Sequence, residues 1–159
     1  MRKQATRTQA GARALLFDRL VDLDPHTPAE PLPLRVLTTQ KLRQSVRREV
    51  ERLLNTRLPI PAHDVIDWER TVLDYGVPDF TALSPHSSTD QDALASGIRD
   101  AIDAFEPRLQ QVRVNVERFA DDQKALVARI DADLVVEGVS EPVSFPVLIR
   151  SGSGEAEVE

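Results

Sequence analysis

The segment Phe105-Glu106-Pro107-Arg108-Leu109 marks the point at which the hydrophobic period of the sequence changes from helical to twofold. Proline at 107 has no backbone N–H and disfavours helical geometry at Glu106, so a helix should end near Phe105. A carboxylate at a helix C-terminus meets the negative end of the helix dipole and needs a cationic partner. The five residues therefore predict a stiff corner with an acid and an arginine on either side of a proline.

Before the corner, apolar residues recur at helical spacing. The longest predicted helix runs from Thr39 to about Asn55, and the last one starts near Asp90, where the sequence resembles a capping box. A short amphipathic helix is predicted over 13–22. Four prolines within 24–33 indicate an extended connector between the first two helices.

After the corner, apolar and polar residues alternate over about 111–118, 125–136 and 143–149, which predicts three strands. Pro146 cannot donate to a ladder, so the third strand is expected at a sheet edge or paired only in part. Helices first and an antiparallel meander last predict an α+β fold, with N-terminal helices followed by a small antiparallel sheet of about three C-terminal strands.

The length of 159 residues suits one domain, and the absence of cysteine excludes disulfides and fits a reducing compartment. Residues 1–13 are basic and carry no acid, whereas residues 151–159 are small, polar and then acidic. Neither end has enough apolar surface to order itself. We therefore expect a flexible basic tail over 1–13, a folded domain over 14–150 and a flexible acidic tail over 151–159.

An acid at a rigid corner invites comparison with glycoside hydrolases, which need two carboxyl groups flanking a sugar cleft. Glu106 could be the acid, and Asp74 or Asp79 its partner. A nearby arginine stabilises the ionised carboxylate, whereas a general acid must keep its proton. Only one Trp and one Tyr are present to stack sugars. We expect no catalytic residues, no metal and no cofactor, since the histidines also lack metal-ligand spacing; they are His26, His63 and His86.

The predicted helix 39–55 is rich in basic residues, including Arg47 and Arg48. No aromatic residue lies among these charges to stack a base, and the chain carries a net charge of −6, so nucleic acid is not expected as a partner. A surface that contacts another protein fits better. The alternative function that follows is an adaptor domain that binds an acidic protein through the basic helix 39–57.

The stretch Val72–Phe80 contains a turn rich in apolar residues. Gly76 and Pro78 favour a tight turn, and Tyr75 and Phe80 flank it. Aromatic side chains bury large areas, so these four residues are expected to anchor the turn on the core. The alternative is that an aromatic side chain stays exposed as an anchor for a partner.

Three stretches occur in a fixed order: Leu42–Arg57, Val72–Phe80, and Phe105–Leu109 followed by the strand at Val112. Together they resemble the TssE family, the baseplate subunits of bacterial type VI secretion systems. That family is related to the baseplate wedge protein of contractile phage tails and was historically labelled lysozyme-like. Leu16–Leu20 also resembles the start of the family, so the resemblance covers about residues 14–150.

The resemblance implies a structural protein that belongs to a large hetero-oligomer. Its expected location is the cytoplasm, in a baseplate docked at the inner membrane, without insertion into the membrane. The implied partners are the wedge subunits TssF, TssG and TssK and the sheath proteins TssB and TssC, and the implied role is to start sheath polymerisation.

The family's signature falls on Glu106, Pro107 and Arg108. These three residues are expected to bind a partner, as are Arg47 and Arg48, and the C-terminal strands are expected to offer a free edge for β-augmentation. Peptidoglycan hydrolysis, suggested by the family's old label, is the third function considered.

Overall fold

The computed structural model describes residues 12–13, 26, 36–58, 70–84, 86–118, 125–136, 139–150 and 153–159. Contacts divide the chain into two compact units, residues 1–45 and residues 46–159. In the first unit, strand β1 (Ala12–Arg13) pairs antiparallel with strand β2 (Val36–Leu37).

The predicted helix over 13–22 is wrong at its first residue. Arg13 pairs with Val36, so the end of the predicted basic tail is strand. Helix propensity is a weak preference, and pairing with a distant strand overrides it here. Several predictions concern residues outside the described ranges and stay predictions. These residues are 1–11, 14–22, the connector apart from His26, and His63.

Helix α1 (Thr39–Leu54) confirms the helix predicted from Thr39 to about Asn55. Thr38 stands at its start: the Lys41 N–H donates to Thr38 Oγ1 at 3.4 Å, and the Leu42 N–H donates to Thr38 O at 2.8 Å. The predicted apolar stripe is buried along the whole helix; its members are Leu42, Val46, Val50, Leu53 and Leu54.

Helix α2 (Ser88–Phe105) begins slightly earlier than predicted and ends at the predicted residue. Ser87 is its cap: it has extended backbone, with φ −96° and ψ 118°, and its Oγ accepts the Asp90 N–H at 3.2 Å. An N-cap side chain satisfies one of the donors that a helix start leaves unpaired. The buried face of the helix consists of Leu94, Ile98, Ala101 and Ile102.

Four strands follow α2 and form one antiparallel sheet in the order β3-β4-β5-β6. Their bounds are β3 Leu109–Arg118, β4 Ala125–Val136, β5 Val139–Arg150 and β6 Ala156–Val158. The alternating apolar residues of the sheet lie on its buried face, as the period of two predicts; they include Ala128, Ile130, Ala132, Leu134, Phe145, Val147 and Ile149.

The predicted number of about three strands is wrong, because β6 is a fourth strand. This strand lies within residues 151–159, which were predicted to be a flexible acidic tail. Ala156 and Val158 alternate with three glutamates, and the two residues are only 2 % and 3 % exposed. The average composition of the segment is acidic, but the two apolar residues share one face and are buried there. Pairing with β5 then satisfies the backbone groups of the short strand that face β5.

β5, the predicted third strand, lies between β4 and β6 and is therefore not at the sheet edge, the first of the two positions expected for it. β6 pairs with β5 over Val147–Ile149 only, so on this side β5 pairs only in part, as the alternative predicted. The Glu159 N–H donates to Pro146 O at 2.9 Å. Because the N–H and C=O of one residue in an antiparallel strand point to the same side, the missing donor of Pro146 faces the end of β6. Pro142, four residues earlier, faces the same side of β5.

Candidate functional site

The corner formed by Glu106, Pro107 and Arg108 joins α2 to β3. Glu106 caps the C-terminus of α2, and the Leu109 N–H donates to its carbonyl at 3.0 Å, which closes a turn around the proline. The Arg108 carbonyl accepts the Val135 N–H at 2.8 Å. This bond extends the β3–β4 ladder to the corner, so the corner fixes the direction in which β3 leaves the helix.

Glu106 and Arg108 form a buried, bidentate ion pair. Arg108 Nε donates to Glu106 Oε1 at 2.6 Å, and Nη2 donates to Oε2 at 2.5 Å. The Glu106 side chain is 5 % exposed and the Arg108 side chain 15 %, while Pro107 is exposed. Two parallel charge-assisted bonds form the strongest arginine–carboxylate geometry. The arginine that the sequence offered to a partner is therefore bound by a carboxylate of its own chain.

The turn at Val72–Phe80, called the braced turn below, packs against the end of α2 next to this corner. The Tyr75 ring meets the Phe105 ring edge-on, with centroids 5.2 Å apart, and the Arg70 guanidinium carbon lies 4.8 Å from the Phe105 centroid. Arg70 Nη2 also donates to the carbonyls of Asp74 at 2.8 Å and Gly76 at 2.6 Å. One guanidinium thus holds the turn to the residue that precedes the corner.

Gly76 allows this turn to approach the segment after α1. Its φ is +124°, and a Cβ placed there would lie 2.5 Å from the Thr56 carbonyl oxygen. The next residue, Val77, donates its N–H to Thr56 O at 2.9 Å and accepts the Leu58 N–H at 2.8 Å, which makes a parallel bridge to Arg57. Only glycine fits the backbone conformation and the space at this position.

The other two residues predicted to anchor the turn also lie against neighbouring elements. Pro78 lies next to Gly97 of α2, where an added Cβ would be 3.3 Å from Pro78 Cδ. Phe80 is buried, and the Arg57 guanidinium carbon lies 4.1 Å from its ring centroid. Burial lowers the pKa of Arg57, while the charge of Asp79 raises it. The turn is therefore packed rather than projecting at its aromatic residues.

A clamp formed by Asn55 and Arg57 holds the C-terminal strand. Asn55 Nδ2 donates to Ala156 O at 2.7 Å, and the Ala156 N–H donates to Asn55 Oδ1 at 3.0 Å. The side-chain amide therefore binds β6 as a neighbouring strand would. Arg57 donates to the Gly154 carbonyl and, at 2.7 Å, to the Leu54 carbonyl at the end of α1.

Replacing Asn55 by alanine should loosen β6, because two backbone groups of Ala156 lose their partners. The expected loss in the free energy of unfolding is about 1–3 kcal/mol. Native-state hydrogen exchange should show faster exchange of the Ala156 amide. Asn115→Ala, at an exposed position of β3, is the matched control and should leave this amide unchanged. Equal protection of Ala156 in both variants would contradict the clamp.

Sequence reasoning missed Asn55, Arg57 and Arg70. Asparagine directly after the last apolar residue of a helix is typical of a helix end, and this local signal was available. No local signal predicted that Asn55 would bind the backbone of Ala156, 101 positions further along the chain. Arg47 and Arg48, which the sequence did single out, lie exposed on α1 and are accessible to a partner.

Comparison with known proteins identifies the family. A family model described as "Baseplate wedge protein gp25" matches residues 40–139, which is more than half of the chain. The chain belongs to the gp25 baseplate wedge family. The resemblance seen in the sequence is therefore confirmed at the level of the family. The gp25 match includes the corner, the braced turn and Asn55, whereas β6, which Asn55 binds, lies beyond it.

A solved structure shares the fold of this gp25 family member. It is a chain of "The baseplate complex from the type VI secretion system", with a TM-score of 0.51 and 20 % sequence identity over 70 % of this chain and 96 % of that chain. A search of curated proteins finds no match. Within the described ranges, no helix has both the length and the apolar character required to span a bilayer.

Proposed function

We propose that this chain is a structural component of a type VI secretion baseplate that contacts the wedge subunits and starts sheath polymerisation. Membership of the gp25 wedge family supports the baseplate role. The observation that carries the finer proposal is that β3, a ten-residue strand directly after the corner, lies at the edge of the sheet. The expected place of action is the cytoplasmic face of the inner membrane.

The edge of β3 is the better acceptor for a partner strand. Among the described strands, β3 pairs with β4 alone. At the other edge, Asn55 already binds the outward N–H and C=O of Ala156 in β6, and Arg57 binds the Gly154 carbonyl just before it. Beyond β6, prolines at 142 and 146 lack the donors that a ladder needs. An added strand gains affinity from main-chain hydrogen bonds and specificity from side chains at alternate positions.

The proposed role of the corner is to hold this acceptor strand in position. Because Glu106 binds Arg108 within the chain, the corner acts on a sheath strand chiefly through the direction of β3. Exposed Pro107 and the exposed Arg47 and Arg48 of α1 remain surfaces for neighbouring subunits. The proposed partners are the wedge subunits TssF, TssG and TssK, together with the sheath proteins TssB and TssC.

We infer a structural role without catalysis, and the three carboxylates considered as hydrolase candidates support this. Both oxygens of Glu106 accept bonds from Arg108. Hydrogen bonds from the backbone and hydroxyl of Thr71 lower the pKa of Asp74, and those of Thr81 lower the pKa of Asp79. A general acid needs a raised pKa.

Hydrogen exchange tests the proposed edge. The full chain is measured alone and after assembly with purified TssB and TssC. Amides of β3 that face away from β4 should gain at least about tenfold protection, because a partner strand closes them. Amides that face β4 are protected in both states and serve as the internal control. New protection on β6 instead, or none on β3, would contradict strand addition at this edge.

A further inference from the structure

Two large apolar side chains project from the braced turn. Val72 and Leu73 are 86 % and 81 % exposed and are the large hydrophobic residues that stand out from the surface of the described chain. They occupy a three-residue 3₁₀ helix, Val72–Asp74. Single exposed apolar residues are ordinary, but two adjacent ones on a short turn place a compact apolar tip in water.

Local hydrogen bonds fix the conformation of this tip. Thr71 and Asp74 form a reciprocal capping box: the Leu73 N–H donates to Thr71 Oγ1 at 3.2 Å, and the Thr71 N–H donates to Asp74 Oδ2 at 2.8 Å. The Asp74 N–H closes the turn on Thr71 O at 2.9 Å. Arg70 binds the Asp74 carbonyl from the core side. A backbone segment that is already ordered loses little entropy when it binds, so these bonds present Val72 and Leu73 on a preorganised turn.

The tip lies next to a residue that contacts the end of α2, close to the corner. Tyr75, the residue after the 3₁₀ helix, contacts Phe105, and Phe105 is followed directly by Glu106 and the corner. An anchor at this position would engage the same assembly that receives β3. The association would fix the chain at two points, the strand edge and the tip, and so define the orientation of the strand.

Charge next to the tip indicates the chemistry of its partner. The Asp74 side chain accepts its bonds from Thr71, which lower its pKa, so it is ionised at neutral pH. It lies at the end of the apolar pair, where it would meet the rim of any pocket that takes up the tip. A complementary surface therefore has an apolar floor and a basic rim. An anionic membrane would repel this carboxylate, which favours a protein.

We propose that Val72 and Leu73 insert into an apolar pocket with a basic rim on a neighbouring baseplate subunit. This inference rests on the baseplate role proposed above. It adds a contact that differs from strand addition at β3, and it requires no movement of the turn.

The test uses the full chain and a purified complex of the wedge subunits proposed as its partners. The double variant Val72→Ser, Leu73→Ser should bind this complex at least about tenfold more weakly, because two buried apolar side chains are lost from the interface. Ala82→Ser, an exposed position beyond the same turn, is the matched control and should bind as the wild type does. Circular dichroism and the urea midpoint should be unchanged in both, since the altered side chains are exposed.

The outcomes separate the tip from the baseplate role. Binding of the folded double variant within about twofold of the wild type would overturn the anchor, whereas a wild type that binds no wedge subunit contradicts the baseplate role as well. If the double variant unfolds, Leu73→Gln alone gives the same comparison. Wild-type binding to anionic lipid vesicles that the double variant loses would assign the tip to a membrane and overturn the protein partner.

Discussion

Alanine at Arg108 should lower the free energy of unfolding by about 3–5 kcal/mol, because it leaves the Glu106 carboxylate buried without its cation. Glu106 is only 5 % exposed, and Arg108 supplies bonds to both of its oxygens. Part of the loss also comes from the arginine's packed methylene groups. Urea unfolding of the purified chain measures the change directly.

Two further variants separate the buried charge from a general arginine effect. Arg99→Ala removes an arginine whose ion pair with Asp100 is exposed, so the expected change is about 0–1 kcal/mol. The double variant Glu106→Leu, Arg108→Met removes both charges and should be more stable than Arg108→Ala. A cost at Arg108 no larger than that at Arg99 would show that the pair is not buried in solution.

This stability effect changes how assembly experiments on the corner are interpreted. Loss of sheath assembly in Arg108→Ala would not by itself place Arg108 in an interface, since the corner and the direction of β3 depend on the same ion pair. The Glu106→Leu, Arg108→Met variant is more informative. If it folds and still supports assembly, the corner acts through geometry, and if it folds without supporting assembly, the charged groups themselves contact a partner.

Alanine at Gly76 should cost about 2–5 kcal/mol, from backbone strain and a steric clash together. The φ of +124° is outside the regions that residues with a Cβ adopt readily, and the added carbon would be 2.5 Å from the Thr56 carbonyl oxygen. That oxygen also accepts the Val77 N–H, so relief of the clash would break the bridge between Val77 and Arg57. Thermal and urea unfolding should both report the loss.

Gly97→Ala is the matched control for Gly76→Ala. Gly97 lies inside α2, where alanine favours the helix by about 1 kcal/mol. The new Cβ would be 3.3 Å from Pro78 Cδ, a tight contact that a small shift relieves. The net change should stay within about 1 kcal/mol of zero. Equal losses at both glycines would indicate that crowding alone, without the backbone conformation, explains Gly76.

Local sequence signals predicted the helices and strands whose formation depends on residues close together in the chain. The stripe from Leu42 to Leu54 predicted α1, and Pro107 predicted the end of α2 at Phe105. The alternation through Ile130 and Phe145 predicted β4 and β5. Each signal works because periodicity and proline geometry act on neighbouring residues, whatever the rest of the fold does.

The failures occurred where a residue's structure depends on a distant partner. Arg13 lies in a strand because it pairs with Val36, and the acidic C-terminus orders because β5 and Asn55 receive β6. The sequence pattern also did not predict that Val72 and Leu73 are exposed, because both are apolar residues of the kind usually found in a core. Hydrophobicity reports the gain available on burial, not whether a surface is present to bury the side chain.

The sequence by itself determined that a helix turns into a strand at a corner that carries Glu106 and Arg108. It also pointed to the wedge family, because helices, turn and corner are encoded by neighbouring residues. Only the tertiary structure decided that Arg108 faces its own carboxylate, that a fourth strand completes the sheet and that the apolar tip stays in water. Those features depend on which surfaces meet in three dimensions, and contacts between residues far apart in the chain leave no local pattern to read.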